Sequence, residues 1–244
     1  DEIFTILAEE WDALSQRGMT DTPFQTLAYQ KSWWKNLQPE GSELHSIITR
    51  SDDHRLTAIA CLYITNHGIV HFNGCVEETD YLDLISEARH AEEAWRLILD
   101  VLFSEDYPQW RLIELCNVPA ISPTRTILSH LIETMGQCVV ESINEVCPVI
   151  HLPDSFDGYI QSLDSKQRRE IRRKLRRVQG AGAELKIISS EDDLDQAVAD
   201  FLALLQKSTF EKRDWLNDGR RALFHETAEA AQQEGTLQLM FLEV

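Results

Sequence analysis

The sequence predicts a mixed α/β layer architecture, on three observations. Helical and strand patterns alternate through the first 150 residues. One nearly all-apolar run, Leu56–Ile64, has the composition of a strand covered on both faces. From Phe156 onward a long helical pattern, a strand, two helices and a last strand follow.

Residues 8–17 set Trp11 and Leu14 on one face of a short amphipathic helix. Thr22-Pro23 breaks the chain, and Gln25–Leu37, with Trp33 and Trp34, reads as a second helix. Leu44–Thr49 and Leu56–Ile64 are strands joined by the turn-forming Asp52-Asp53-His54. Ile69–Phe72 is a third strand, closed by Asn73-Gly74. Ala91–Phe103 carries Ala94, Leu97, Ile98, Val101 and Leu102 at helical spacing. Trp110–Leu115 is a strand, Pro123–Met135 a helix stopped by Gly136, and Cys138–Ile143 and Pro148–Leu152 supply further strand.

A single helical pattern spans Phe156 to Val178, with Phe156, Ile160, Leu163, Ile171 and Leu175 on its apolar side. Leu185–Ser189 is a strand, Asp192–Leu205 and Arg221–Gln233 are helices, and Leu237–Val244 is a strand. The start at Asp1 and the stop inside an apolar strand read as a fragment. The expected division is 1–153, a basic linking helix over 154–183, and a second unit from 184 to 244.

Composition narrows the function classes. An apolar fraction of 43 % and a charged fraction of 26 % fit an ordinary globular protein. No run approaches the ~20 apolar residues of a membrane span, and nothing at the N-terminus reads as a signal peptide. Cytoplasm is the expected compartment. The net charge of −18 argues against general nucleic-acid binding, yet eight of the 23 basic residues crowd between Lys166 and Arg177 with one acid, Glu170. The five cysteines show no C-x-x-C pair and no histidine at metal-ligand spacing, so they read as reduced core thiols and no metal is expected.

Three groups of residues are candidates for chemistry. Arg168, Arg169, Arg172 and Arg173 recur at helical spacing. They form either a solvated face that pairs with acids elsewhere or an anion site for phosphate or carboxylate. A basic amphipathic helix can also lie on an anionic membrane. In Thr79-Asp80-Tyr81-Leu82-Asp83, the plain reading is helix or turn capping by Thr79 or Asp80, with Asp83 in the first turn. The functional one makes Asp80 a general base or acceptor-positioning group and Tyr81 a proton donor. Lys212 and Trp215, in a loop between helices, place a cation beside an indole that suits an anionic or sugar substrate.

Phe72-Asn73-Gly74 with Thr79–Leu84, Cys147-Pro148 with Leu152-Pro153, and the run Leu163–Arg177, together with Phe24 and Trp33-Trp34, resemble one family. It is the CelD-type acetyltransferases of bacterial polysaccharide biosynthesis, in the GNAT superfamily and related to the FemABX aminoacyltransferases. The resemblance implies two GNAT-like halves in tandem, the first degenerate and the second incomplete here. It implies transfer of an acyl group from acetyl-CoA or another acyl-CoA to an amine or hydroxyl on a small-molecule or lipid-linked sugar or envelope precursor. An aminoacyl-tRNA-dependent transferase and a non-catalytic binding module are the alternatives. In this superfamily a Q/R-x-x-G-x-G/A turn at a helix N-terminus cradles the CoA pyrophosphate. No such turn follows Ile69–Phe72, so the cradle is expected beyond Val244 and the piece alone is expected to be inactive. Arg177-Val178-Gln179-Gly180-Ala181-Gly182 matches the letters, but it ends a helix, and the glycines read as a stop.

Overall fold

The computed structural model describes residues 2–75 and 78–244. Its elements in chain order begin with α1 (Ile3–Ile6) and α2 (Trp11–Ser15), so the expected helix over 8–17 is shorter and preceded by another. A 3-10 turn at Pro23–Gln25 leads into α3 (Leu27–Leu37), whose first turn is capped by Thr26 accepting from Tyr29 N.

The long apolar run is two strands that share a chain and differ in their neighbours. β1 (Glu43–Leu44) and β2 (Ile47–Arg50) form one flank, antiparallel to β4 (Leu62–Ile64) and β3 (Leu56–Ala60) respectively. On the other flank β4 pairs antiparallel with β5 (Ile69–Phe72), while β3 pairs with β6 (Ile85–Ser86). The change of partner falls at Cys61. There the Ser46 hydroxyl accepts the Leu62 N–H at 3.3 Å, and Asn73 N donates to the Cys61 carbonyl at 2.8 Å. Burial pushes the Cys61 thiol up to about 12. β7 (Leu112–Ile113) runs parallel to β5, with Val70 opposite Ile113.

Both faces of this sheet system are covered, as the apolar run predicted. One face packs against α4 (Ala91–Leu102) and α5 (Pro123–Thr134) through Phe72, Leu84, Trp95, Ile98 and Leu102. The other packs against α1–α3 through Leu7, Trp11, Trp33 and Trp34. On α4 the buried stripe runs through Ala91, Ala94, Trp95, Ile98 and Leu102, and Leu97 and Val101 are exposed instead. Trp95 sits two positions from Leu97, on the opposite side of the helix, and is the larger group to bury, so it sets the helix rotation.

Residues 138–152 form no strand. The β-branched Val139, Val140, Ile143, Val146, Val149 and Ile150 have strand-forming composition, but among the described residues no neighbouring backbone takes up their hydrogen bonds, and all six are exposed. The long helix expected over 156–178 is two, α6 (Phe156–Ser162) and α7 (Ser165–Gly180). Asp164 divides them by capping α7, accepting from Lys166 N at 2.7 Å and Gln167 N at 2.9 Å. No residue of α7 is buried. Its far end confirms the glycine stop: Gly182 has φ +71°, and Ala183 N returns to the Val178 carbonyl.

β8 (Glu184–Ile187) pairs antiparallel with β9 (Met240–Glu243), a two-stranded ribbon with Leu185, Ile187, Met240 and Leu242 exposed. Between them lie α8 (Leu194–Ser208), α9 (Phe210–Trp215) and α10 (Asp218–Gln233). Their small core is Val198, Leu202 and Leu216, with Phe201 and Phe224 edge to face. α10 also crosses to α3. Gly219 permits the approach, since a Cβ there would meet the Asn36 carbonyl oxygen at 2.4 Å. Leu223 joins the tryptophan core, and Glu226 accepts from Ser32 Oγ at 2.7 Å and Lys35 Nζ at 2.5 Å.

The cysteines correct the sequence expectation. Cys75 and Cys116, 41 residues apart, are disulfide-bonded, and Cys138 and Cys147 are exposed. Only Cys61 is a buried free thiol. The parallel pairing of β5 and β7 brings the first two together, a contact that sequence spacing does not carry. Among the described residues no helix is long and apolar enough to cross a membrane.

Candidate functional site

The segment from Glu78 to Asp83 is held from three sides. Tyr29 on α3 donates to the Glu78 carbonyl and shares a 2.8 Å hydrogen bond with Thr79 Oγ1. Burial raises the Tyr29 phenol far above its usual range, so it stays protonated. Asn117, in the left-handed region at φ +61°, donates from Nδ2 to the Thr79 carbonyl. Gly74 turns the chain before it at φ +104°, with Thr79 packed where a Cβ would stand. Asn73 and Gln30 cross-bond in the core beneath, Asn73 Nδ2 donating to Gln30 O and Oε1.

The segment is not a helix start, which corrects the helix form of the capping expectation. Asp83 is instead a buried carboxylate. It accepts from Thr20 Oγ1 at 2.9 Å, Thr124 Oγ1 at 2.6 Å and its neighbour Leu84 N. Trp95 Nε1 donates to the same Thr124 hydroxyl, and Gln25 Nε2 donates to the Asp83 carbonyl. These bonds fix the segment's inner end and leave Asp80 exposed at its outer one. Tyr81 adopts φ +54° and is exposed. The Cys147 thiol beside its hydroxyl, reinforced by the charge of Asp80, holds the phenol above its ordinary value.

Lys212 and Trp215 meet as predicted, although on the short helix α9 rather than in a loop. Lys212 Nζ lies 4.3 Å from the indole centroid. Arg220 stacks on the same ring at 4.7 Å and donates from Nη1 to the Trp215 carbonyl. Its Nε also forms an ion pair with Glu78, whose side chain is 4 % exposed. Glu78 and Arg220 therefore join the two sequence candidates: Asp80 and Tyr81 on one side, Lys212 and Trp215 on the other. Sequence reasoning missed Tyr29, Glu78, Asn117 and Arg220. The only local hint was the position of Arg220, five residues after Trp215.

The arginine strip stands apart. Arg168 donates to the carbonyls of Ile160, Gln161 and Leu163 and so closes the end of α6. Arg169 donates to Ser165 O, and Arg173 pairs with Glu170 at 2.6 Å. Among the described residues the ion pairs of α7 run to its own Glu170. Arg172 is exposed on the same helix.

Two surface depressions, about 490 and 370 Å³, lie away from this junction. One is a shallow groove at Ile48, Arg50, Leu97 and Val101; the other lies between α8 and the β8–β9 ribbon, at Lys186, Asp200 and Lys207.

The described residues do not fit the pyrophosphate group of CoA. Gly180 and Gly182 are the one G-x-G pair, and they sit at a helix C-terminus, where carbonyl oxygens face outward. The N-termini of α3, α5, α7, α8 and α10 are each occupied by a capping side chain of the chain itself, and α4, which lacks one, carries Glu92 and Glu93 in its first turn, where they repel a phosphate.

No curated protein matches the chain. A protein-family model does match: residues 165–244, the span from α7 through β9, are similar to the acetyltransferase (GNAT) domain.

Proposed function

We propose that the protein transfers an acyl group from acetyl-CoA or a related acyl-CoA to an amine or hydroxyl of a sugar or cell-envelope precursor, in the cytoplasm, as the CelD-type enzymes it resembles do. The match of residues 165–244 to an acetyltransferase domain carries this reading. The residues described here are assigned to the acceptor. Lys212 and Trp215 present a cation and a flat apolar face, a pairing that suits a sugar carrying an anionic group. Asp80 is exposed two residues from Glu78, which pairs with the Arg220 stacked on that indole, and takes the proton that the attacking amine or hydroxyl must lose. Tyr81, its phenol held protonated, donates a hydrogen bond on the same surface. Arg172 and its neighbours on α7 bind the acceptor's phosphate or carboxylate. No step is assigned to a CoA cradle, because these residues do not form one.

The test is calorimetric titration of acetyl-CoA into the chain, and into any longer natural form of it, followed by a transfer assay with amino-sugar and hydroxyl acceptors. Binding and transfer support the reading, and Asp80→Asn is then expected to lower turnover by about 10²–10⁴-fold. Absence of both in every form overturns it.

A second reading, an aminoacyl-tRNA-dependent transferase, is favoured by the exposed cations of α7. It predicts tRNA binding that weakens steeply with salt.

A further inference from the structure

The geometry points to a thiolate–imidazole metal site formed by His71, Cys75 and Cys116 when the two cysteines are reduced, with Zn²⁺ as the cation it fits. One ligand atom from each of the three residues lies within 4.8 Å of the others. They come from the end of β5, from the turn that follows it and from the segment after β7, so the parallel pairing of those strands preassembles the group. Cys75 is 7 % exposed and the His71 side chain 13 %, so the position is largely shielded from water.

A second observation concerns the histidine. His71 Nδ1 lies 3.1 Å from the Glu114 carbonyl oxygen, and its ring stacks at 5.3 Å on Tyr63. A carbonyl can only accept, so this bond selects the tautomer with the proton on Nδ1 and the lone pair on Nε2. Metal-binding histidines are oriented in this way, by an outer acceptor on the other ring nitrogen. Two thiolates and one imidazole are a borderline-soft set, suited to Zn²⁺, and three protein ligands leave a fourth position for water.

The disulfide and the metal are alternatives at one place. A phosphine reductant converts the first state to the second: the S–S bond breaks, each sulfur gains a proton, and the phosphine leaves as its oxide with the oxygen of water. Coordination then releases both thiol protons as Zn²⁺ binds. In either state the clamp ties the Gly74 turn to the segment that carries Asn117, whose side chain holds Thr79.

The test uses the whole chain, reduced with phosphine under nitrogen and titrated with Co²⁺ and then Zn²⁺. One equivalent is expected to bind, with thiolate-to-cobalt absorption that Zn²⁺ abolishes. Cys75→Ser and Cys116→Ser should each lose that absorption. His71→Asn should weaken binding by at least the ~10–100-fold that loss of an outer partner costs. The Cys138→Ser/Cys147→Ser double variant should bind as the parent does. Should a ligand variant fail to fold, alkylation of the parent decides: Zn²⁺ must protect Cys75 and Cys116 and leave Cys138 and Cys147 reactive. A reduced chain that binds no metal, binding lost with Cys138 and Cys147, or no protection of Cys75 and Cys116 overturns the site.

Discussion

The two ends of this chain solve burial differently. Residues up to about 135 enclose two large apolar clusters on either side of one sheet system, with Trp11, Trp33 and Trp95 fully enclosed. They also hold a carboxylate, Asp83, inside a set of matched donors. The stretch similar to an acetyltransferase domain has a three-residue buried core and an open two-stranded ribbon, and it leans on the first region through α10. Stability thus resides mainly in one region, while the similarity to a known domain resides in the other. The weaker region is ordered partly by its neighbour.

The widest expected gap is between core truncations. Trp95→Ala should cost about 4 kcal/mol and leave Thr124 without one of its partners, whereas Leu202→Ala should cost about 2. Urea denaturation followed by circular dichroism measures both, and equal costs would erase the contrast. Next is Arg220→Ala, which strands the buried Glu78 carboxylate. Because Arg220 is 20 % exposed, about 2 kcal/mol is expected rather than the 3–5 of a fully buried pair. Hydrogen exchange should show the loss in both α10 and the Glu78–Leu82 segment; loss in one alone would mean that the two are not coupled.

A smaller effect follows from pH. Burial alone would raise the Glu226 carboxyl, but hydrogen bonds from Lys35 and Ser32 and the Lys35 charge outweigh it and hold the group below 4.5. Its contribution is therefore complete above the unfolded value and lost as pH falls through the folded one. For this half-exposed group that amounts to under about 1 kcal/mol. Stability measured from pH 7 down to 3 should fall less steeply in Glu226→Gln. Smallest is Arg172→Glu on α7, expected within about 0.5 kcal/mol. A larger loss would show that the helix packs against something.

Local pattern made much of the fold legible. β5 and its Asn73-Gly74 close, α5 with its Gly136 stop, and the stop at Gly182 all depend on neighbours within a few residues. The errors arose where partners are distant. Residues 138–152 have β-branched, strand-forming composition and, among the described residues, no adjoining strand, and the Cys75–Cys116 pair and the α10–α3 contact join positions that only the tertiary fold brings together. The candidate site divides in the same way. Lys212 and Trp215 are three apart on one helix and could be paired by eye. Glu78 and Arg220, 142 residues apart, could not.

The docking of α10 has a practical side. A boundary for recombinant production drawn at residue 165, where the acetyltransferase-like stretch begins, would sever Leu223 and Glu226 from the α3 surface that receives them. The excised piece would carry a newly bared apolar stripe beside an already open ribbon, and it should precipitate or require a detergent. Co-expression with residues 1–164 as a separate chain is the remedy to try, with α3 acting as an intermolecular chaperone for α10.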